Sequence, residues 1–144
     1  TLFLAMESYV ELFDAGIVSL EEFVSMRYDN DLLVRLIVKK RPGAFAYKAV
    51  RKQRTELPSL NCAASKLGDE YRVVVGSRPA RAMVLRDEQG ILAGGIPEQS
   101  AQLFGEFAQA AVPVSGNMWG SAEYRRALVP VMVRRALLAL NEVQ

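Results

Sequence analysis

The chain has 144 residues, with 18 Lys and Arg against 16 Asp and Glu, no histidine and one cysteine. At 51% hydrophobic and 24% charged it has the composition of one folded domain, or of one domain with a piece of another, and not that of a disordered, collagenous or coiled-coil chain. Without histidine there is no Ser-His-Asp or Cys-His catalysis and no His-ligated metal, and Cys62 alone closes no internal disulfide and supplies no iron–sulfur cluster.

The apolar runs fall far short of the roughly 20 residues that span a bilayer, so no membrane partner is expected. The amino end, Thr1-Leu-Phe-Leu-Ala-Met6, has no basic region and is not a complete signal peptide. It also lacks an initiator Met, and a fragment or a processed product is the expectation. A net charge of +2 is too small to argue for nucleic acid.

In chain order, residues 2–6 form a short apolar run fit to close a helix. Residues 9–13 read as a strand, Asp14-Ala-Gly16 as a turn and 17–20 as a second strand. Residues 20–23 suit a helical turn. Residues 32–38 are a dense β-branched run between Asp29-Asn-Asp31 and Lys39-Lys-Arg-Pro-Gly43, and predict a buried strand with a hard stop. Strands follow at 44–50 and 60–67, with a polar turn at 51–55. Gly68-Asp69 signals a hairpin to a strand at 71–76, and Arg78-Pro79 separates that strand from one at 81–85. Two helices come last. The first spans 98–111, with Pro97 at its first helical position and Pro113 beyond its end. The second runs from near Ser121 to about Asn141.

Strands followed by helices predict an α+β fold, an antiparallel sheet of three to four strands covered by the two C-terminal helices. The boundary is placed at Arg41-Pro-Gly43, dividing 1–41 from 42–144. Two or three strands alone are marginal in water, so the first 40 or so residues read as the end of something larger.

Seven basic residues fall between Lys39 and Arg54: Lys39, Lys40, Arg41, Lys48, Arg51, Lys52 and Arg54. They form either an anion-binding surface or a solvated turn. Lys48 stands apart, because it lies within a strand. Alternation puts Phe45, Tyr47 and Ala49 on one face and Ala46, Lys48 and Val50 on the other. A sheet-edge lysine is the plain alternative. The glycines at 94–95 and at 116 and 120 match neither phosphate-loop pattern. Ser115, Ser121 and Cys62 have no nearby base, and Cys62 reads as a small buried hydrophobe.

On the first C-terminal helix, Leu103, Phe104, Phe107, Ala108 and Ala111 form one apolar stripe. The last helix is apolar on two sides. Tyr124, Ala127, Leu128, Val131 and Leu138 share one, while Val129, Met132, Val133, Ala136 and Leu140 cover much of another. One side suits the domain's own sheet, and the second requires either another domain or subunit or deep wrapping by this one. Pro130 removes the amide that would bond the Arg126 carbonyl, which predicts a kink.

Gly120-Ser-Ala-Glu-Tyr-Arg-Arg126 followed by Val131-Met-Val-Arg-Arg-Ala-Leu137 resembles the close of the flavoprotein subunit of the molybdenum hydroxylases, the xanthine dehydrogenase, aldehyde oxidase and carbon monoxide dehydrogenase family. Leu60-Asn-Cys-Ala-Ala64 and Arg72-Val-Val-Val-Gly76-Ser-Arg-Pro79-Ala-Arg81 are similar to its paired strands. Ala46-Tyr47-Lys48 with Arg54 resembles the strand that opens its C-terminal domain. Leu4-Ala-Met6, Val10-Glu-Leu12, Val18-Ser-Leu-Glu-Glu-Phe23 and Asp31-Leu-Leu-Val34 resemble the tail of its FAD-binding domain, so the likeness covers essentially the whole chain. There are departures. Asn117-Met-Trp119 stands where the family often has D-x-R, and Pro130 where a helix former is usual. The family's pyrophosphate-wrapping glycine segment, and an acidic residue just before Thr1, have no counterpart here.

The resemblance implies that 1–41 ends an incomplete FAD-binding domain and that 42–144 is a carbon monoxide dehydrogenase flavoprotein C-terminal-like domain. It implies FAD in the intact subunit, with Leu33 and Lys48 approaching the isoalloxazine ring. Molybdopterin and 2Fe-2S clusters would belong to partner subunits or domains, and this section alone would be inactive. A cytoplasmic location is implied. The alternative from another class is a stand-alone, non-catalytic protein-interaction module; a nucleic-acid binder ranks third.

Overall fold

Gly68 takes a φ of 62° and turns the chain between two runs of small and β-branched residues. Those runs pair residue for residue, from Leu67 with Glu70 to Asn61 with Gly76, and form the centre of the molecule. The computed structural model describes residues 1–27 and 30–142. Asp29, expected to bound the third strand, lies outside them, as do residues 143 and 144.

The elements are α1 (Leu2–Ala5), β1 (Tyr9–Leu12), β2 (Gly16–Ser19), α2 (Leu20–Ser25), β3 (Leu33–Ile37), β4 (Ala44–Val50), β5 (Leu60–Leu67), β6 (Glu70–Gly76), β7 (Met83–Arg86), α3 (Glu98–Ala111) and α4 (Ala122–Leu140). Two antiparallel sheets result, ordered β2-β1-β3 and β4-β5-β6-β7. The fold is α+β, with C-terminal helices against the four-stranded sheet, as expected.

Side chains opposite one another in an antiparallel pair share a face. Leu60, Cys62, Ala64, Val73, Val75 and Leu85 therefore line one face of the larger sheet. They are buried beneath Phe104, Ala108, Met132, Val133, Ala136 and Leu137 of α3 and α4. Ala63 and Val74 point the other way, against Leu4 and Ala5 of α1, with Leu20 and Val24 of α2 beside them. The layer formed by α1 and α2 was not foreseen: the first 40 residues cover the second face of the sheet.

Ser19 and Ser121 cap α2 and α4, accepting from the amides of Glu22 and Tyr124 at 3.0 and 3.1 Å. Pro97 caps α3 in an extended conformation, one residue before the first helical position expected for it. The two long helices cross at Gly105. A Cβ there would lie 2.8 Å from the Pro130 carbonyl oxygen, so the close approach requires glycine. This crossing recentres the buried stripe of α3 on Ala101, Phe104, Gly105 and Ala108, and leaves Leu103 48% exposed, contrary to expectation. Pro130 deprives the Arg126 carbonyl of its helical donor, and the Gln109 side-chain amide donates to that oxygen instead at 3.0 Å.

The side of α4 that carries Val129, Met132, Val133, Ala136 and Leu140 is buried within this chain, under its own sheet and α3. No second subunit is needed to cover Val133. On the other side Tyr124 and Val131 are 44% and 40% exposed. β3 was expected to be buried, but Leu33, Val34 and Leu36 are exposed. The physical reason is that, among the described residues, β3 pairs with β1 alone, so neither of its faces is covered.

Candidate functional site

Lys48 sits in the middle of β4, directly opposite the buried Cys62, and is half-buried. The register puts it on the α3–α4 side of the sheet, with Ala46 and Val50, as strand alternation predicts. Because β4 is the edge strand, a long side chain there can run along apolar surface to open space. Among the described residues Lys48 has no ion-pair partner.

Leu33 opens β3, opposite Leu12, and is 53% exposed. It belongs to the smaller sheet and Lys48 to the larger. The main contacts of β3 are with β1, and those of β4 are with β5 and α4. The strands that carry the two residues are thus not packed on each other, and residues 38–43 join them.

The basic cluster of the sequence divides between the two ends of β4. Lys39 lies over the Tyr9 ring at 4.1 Å, and Arg41 pairs with Glu7. Arg51, Lys52 and Arg54 lie exposed in the loop between β4 and β5. Lys48, about midway, belongs to neither group. Cys62 is fully buried, and burial pushes its thiol pKa up, which removes thiolate reactivity.

Two charged centres escape sequence reasoning. The first is Arg125, 1% exposed. Its guanidinium donates to the carbonyl oxygens of Ser59 at 2.7 Å, Ser115 at 2.8 Å, Ser77 at 3.2 Å and Gly120, and to Asn117 Oδ1 at 2.6 Å. One planar fork thus ties together the loop before β5, the loop after β6 and the entry to α4. The second is a network on the other face of the sheet. Arg72, 7% exposed, meets Glu7, Glu70 at 3.4 Å and Glu21 at 3.6 Å. Arg86 holds Glu21 through two hydrogen bonds of 2.9 and 2.6 Å. The Arg86 hydrogen bond is the main reason that the Glu21 carboxyl titrates below its ordinary value.

A cleft between β1, α2 and the β6–β7 connection is lined by Leu12, Phe23, Val24, Met26, Arg27, Asp31, Arg81 and Ala82. It includes neither Lys48 nor Leu33. Asp31 there is bound by the amides of Asp14 and Ala15, both at 2.9 Å, which hold its pKa low. Among the described residues no group of acidic or cysteine side chains is placed to hold a metal ion. No described helix is long and apolar enough to cross a membrane.

No protein-family model and no curated protein matches the sequence. Solved structures do match its fold. Quinoline 2-oxidoreductase from Pseudomonas putida 86 aligns over 97% of this chain with a TM-score of 0.78 at 19% identity. Carbon monoxide dehydrogenase from Hydrogenophaga pseudoflava aligns over 96% with a TM-score of 0.74 at 20% identity. CO dehydrogenase from Oligotropha carboxidovorans aligns over 95% with a TM-score of 0.76 at 19% identity. The chain has the fold of a section of these oxidoreductase chains. It spans 55%, 55% and 54% of them respectively. The fold neighbours are thus oxidoreductases of the kind that the closing motif had already suggested, and they extend well beyond the present chain.

Proposed function

We propose that this chain is the C-terminal part of the FAD-binding subunit of a xanthine dehydrogenase-like molybdenum hydroxylase. Residues 1–41 would be the tail of the FAD-binding domain, and 42–144 the domain that follows it. The observation that carries this reading is the fold match over 97% of the chain to quinoline 2-oxidoreductase, which spans the same stretch as the sequence resemblance. The exposed apolar β3 fits it as well. Leu33, Val34 and Leu36 form an uncovered strand edge, such as a preceding domain would cover.

The residues here fit one edge of a flavin site. Leu33 offers apolar surface, and Lys48 offers a half-buried cation without an ion-pair partner among the described residues. FAD would supply the redox chemistry, taking electrons from iron–sulfur clusters and giving them to an acceptor. Leu33 would pack on the ring and exclude water. Lys48 would stabilise negative charge gathered on the ring during reduction. Iron–sulfur and molybdopterin subunits would be the partners, the cytoplasm the setting, and this section alone would be inactive.

Replacement of Lys48 tests the reading. A cation at the ring contributes roughly 1–2 kcal/mol at an effective dielectric near 20. For a two-electron couple ~1.4 kcal/mol corresponds to about 30 mV. Lys48→Met in the full-length subunit should lower the flavin midpoint potential by tens of millivolts, and Lys52→Met by much less. Equal small shifts in a spectroelectrochemical titration would make Lys48 an ordinary surface lysine.

A further inference from the structure

The flavin reading leaves the network of Arg72 without a role. Its members come from distant parts of the chain. Glu7 follows α1 and Glu21 lies in α2, whereas Glu70, Arg72 and Arg86 stand on β6 and β7. Arg41, from the connection between the sheets, pairs with the same Glu7. Three cations face three carboxylates, so the network is neutral as a whole.

The network borders a small apolar contact, that of Leu4 and Ala5 with Ala63 and Val74, which the Ser65 hydroxyl also spans by donating to the Ala5 carbonyl at 2.6 Å. Apolar contact is non-directional: it resists separation of two layers more than sliding between them. Hydrogen bonds to a planar guanidinium have fixed directions and resist sliding. Exposed ion pairs add little, but Arg72 is desolvated and paired to carboxylates from both layers. The same layers carry the two sheets, with Leu33 on one and Lys48 on the other.

We propose that Arg72 is a positioning residue: its ion pairs lock the three-stranded sheet onto the four-stranded sheet and so set the spacing of Leu33 and Lys48. What that spacing does rests on the flavin reading; the lock itself does not.

The test uses the full-length subunit with spin labels on Asp14→Cys and Asp69→Cys, two exposed turn positions on the two sheets. Cys62 is fully buried and escapes labelling, and any exposed cysteine in the rest of the subunit is first replaced by Ser. Pulsed electron resonance should show a wider distance distribution in Arg72→Met than in the parent, largely restored in Arg72→Lys. The flavin potential of Arg72→Met should move in the direction of Lys48→Met. Should Arg72→Met fail to fold, Glu7→Gln weakens the same lock and is read in the same way. An unchanged distance distribution in a folded variant overturns the lock. A widened distribution together with an unshifted potential in Lys48→Met supports the lock and overturns the flavin reading instead.

Discussion

The two faces of the four-stranded sheet are covered by different physics. On one face α3 and α4 bury a continuous apolar cluster that extends from Ala44 to Leu140. On the other, a small cluster of Leu4, Ala5, Ala63 and Val74 packs with Leu20 and Val24, and a network of charged residues lies beside it. The first cover obtains its free energy from area removed from water, at about 25 cal/mol per Å2. The second relies on pairing charges that would otherwise be stranded. A cover of the first kind tolerates changes of pH and salt. A cover of the second kind is rigid in direction but depends on the protonation of its carboxylates.

Three further substitutions would break or sharpen this contrast. Phe104→Ala should have the largest effect. Phe104 is 1% exposed at the centre of the apolar face, and truncating such a ring costs about 3–5 kcal/mol. Chemical denaturation measures it. Leu4→Ala should cost less, about 2–3 kcal/mol, because Leu4 is buried at 3% exposure but in a much smaller cluster. A loss as large as that of Phe104→Ala would mean that the second face is held by apolar burial after all.

The smallest effect concerns acid. Arg86 holds the Glu21 carboxyl below its ordinary value of 4.5, so folding favours its charged form. That stabilisation is complete above about pH 4.5 and disappears as the pH falls through the depressed folded value. Arg72 and Arg86 face Glu21, while Glu7 and Glu70 share the same cations. Stability measured from pH 7 to pH 3 should therefore fall less steeply in Glu21→Gln than in the parent. Asp31 is likewise held low, by the amides of Asp14 and Ala15, so the difference between the curves is the informative quantity. Parallel curves would remove Glu21 from the acid response.

The apolar face was legible in the sequence because its signals are local. Alternation within 44–50, the strand runs at 60–67 and 71–76, the Gly68 turn and the bounds Glu98–Ala111 all follow from neighbours a few residues apart. Strand alternation also put Lys48 on the face of β4 that Ala46 and Val50 share. The failures are equally instructive. The hydrophobic run at 32–38 reads as buried from its composition, but burial depends on what is laid on the two faces of β3. The apolar pattern of α4 left two sides open, and the Gly105–Pro130 crossing decides which one is inside.

By itself the sequence determined the order of the elements, the pairing of β5 with β6, the inert character of Cys62 and the absence of histidine chemistry. Tertiary structure alone decided that Glu7 and Glu21 meet Arg72 and Arg86, and that Arg125 gathers oxygens from loops as far away as Ser59. Hydrophobic periodicity repeats every two or every 3.6 residues and can be read along a chain. An ion pair between residues 65 positions apart, such as Glu7 with Arg72, leaves no periodic trace. It exists because two elements happen to be laid across each other, and that is settled only when the chain has folded.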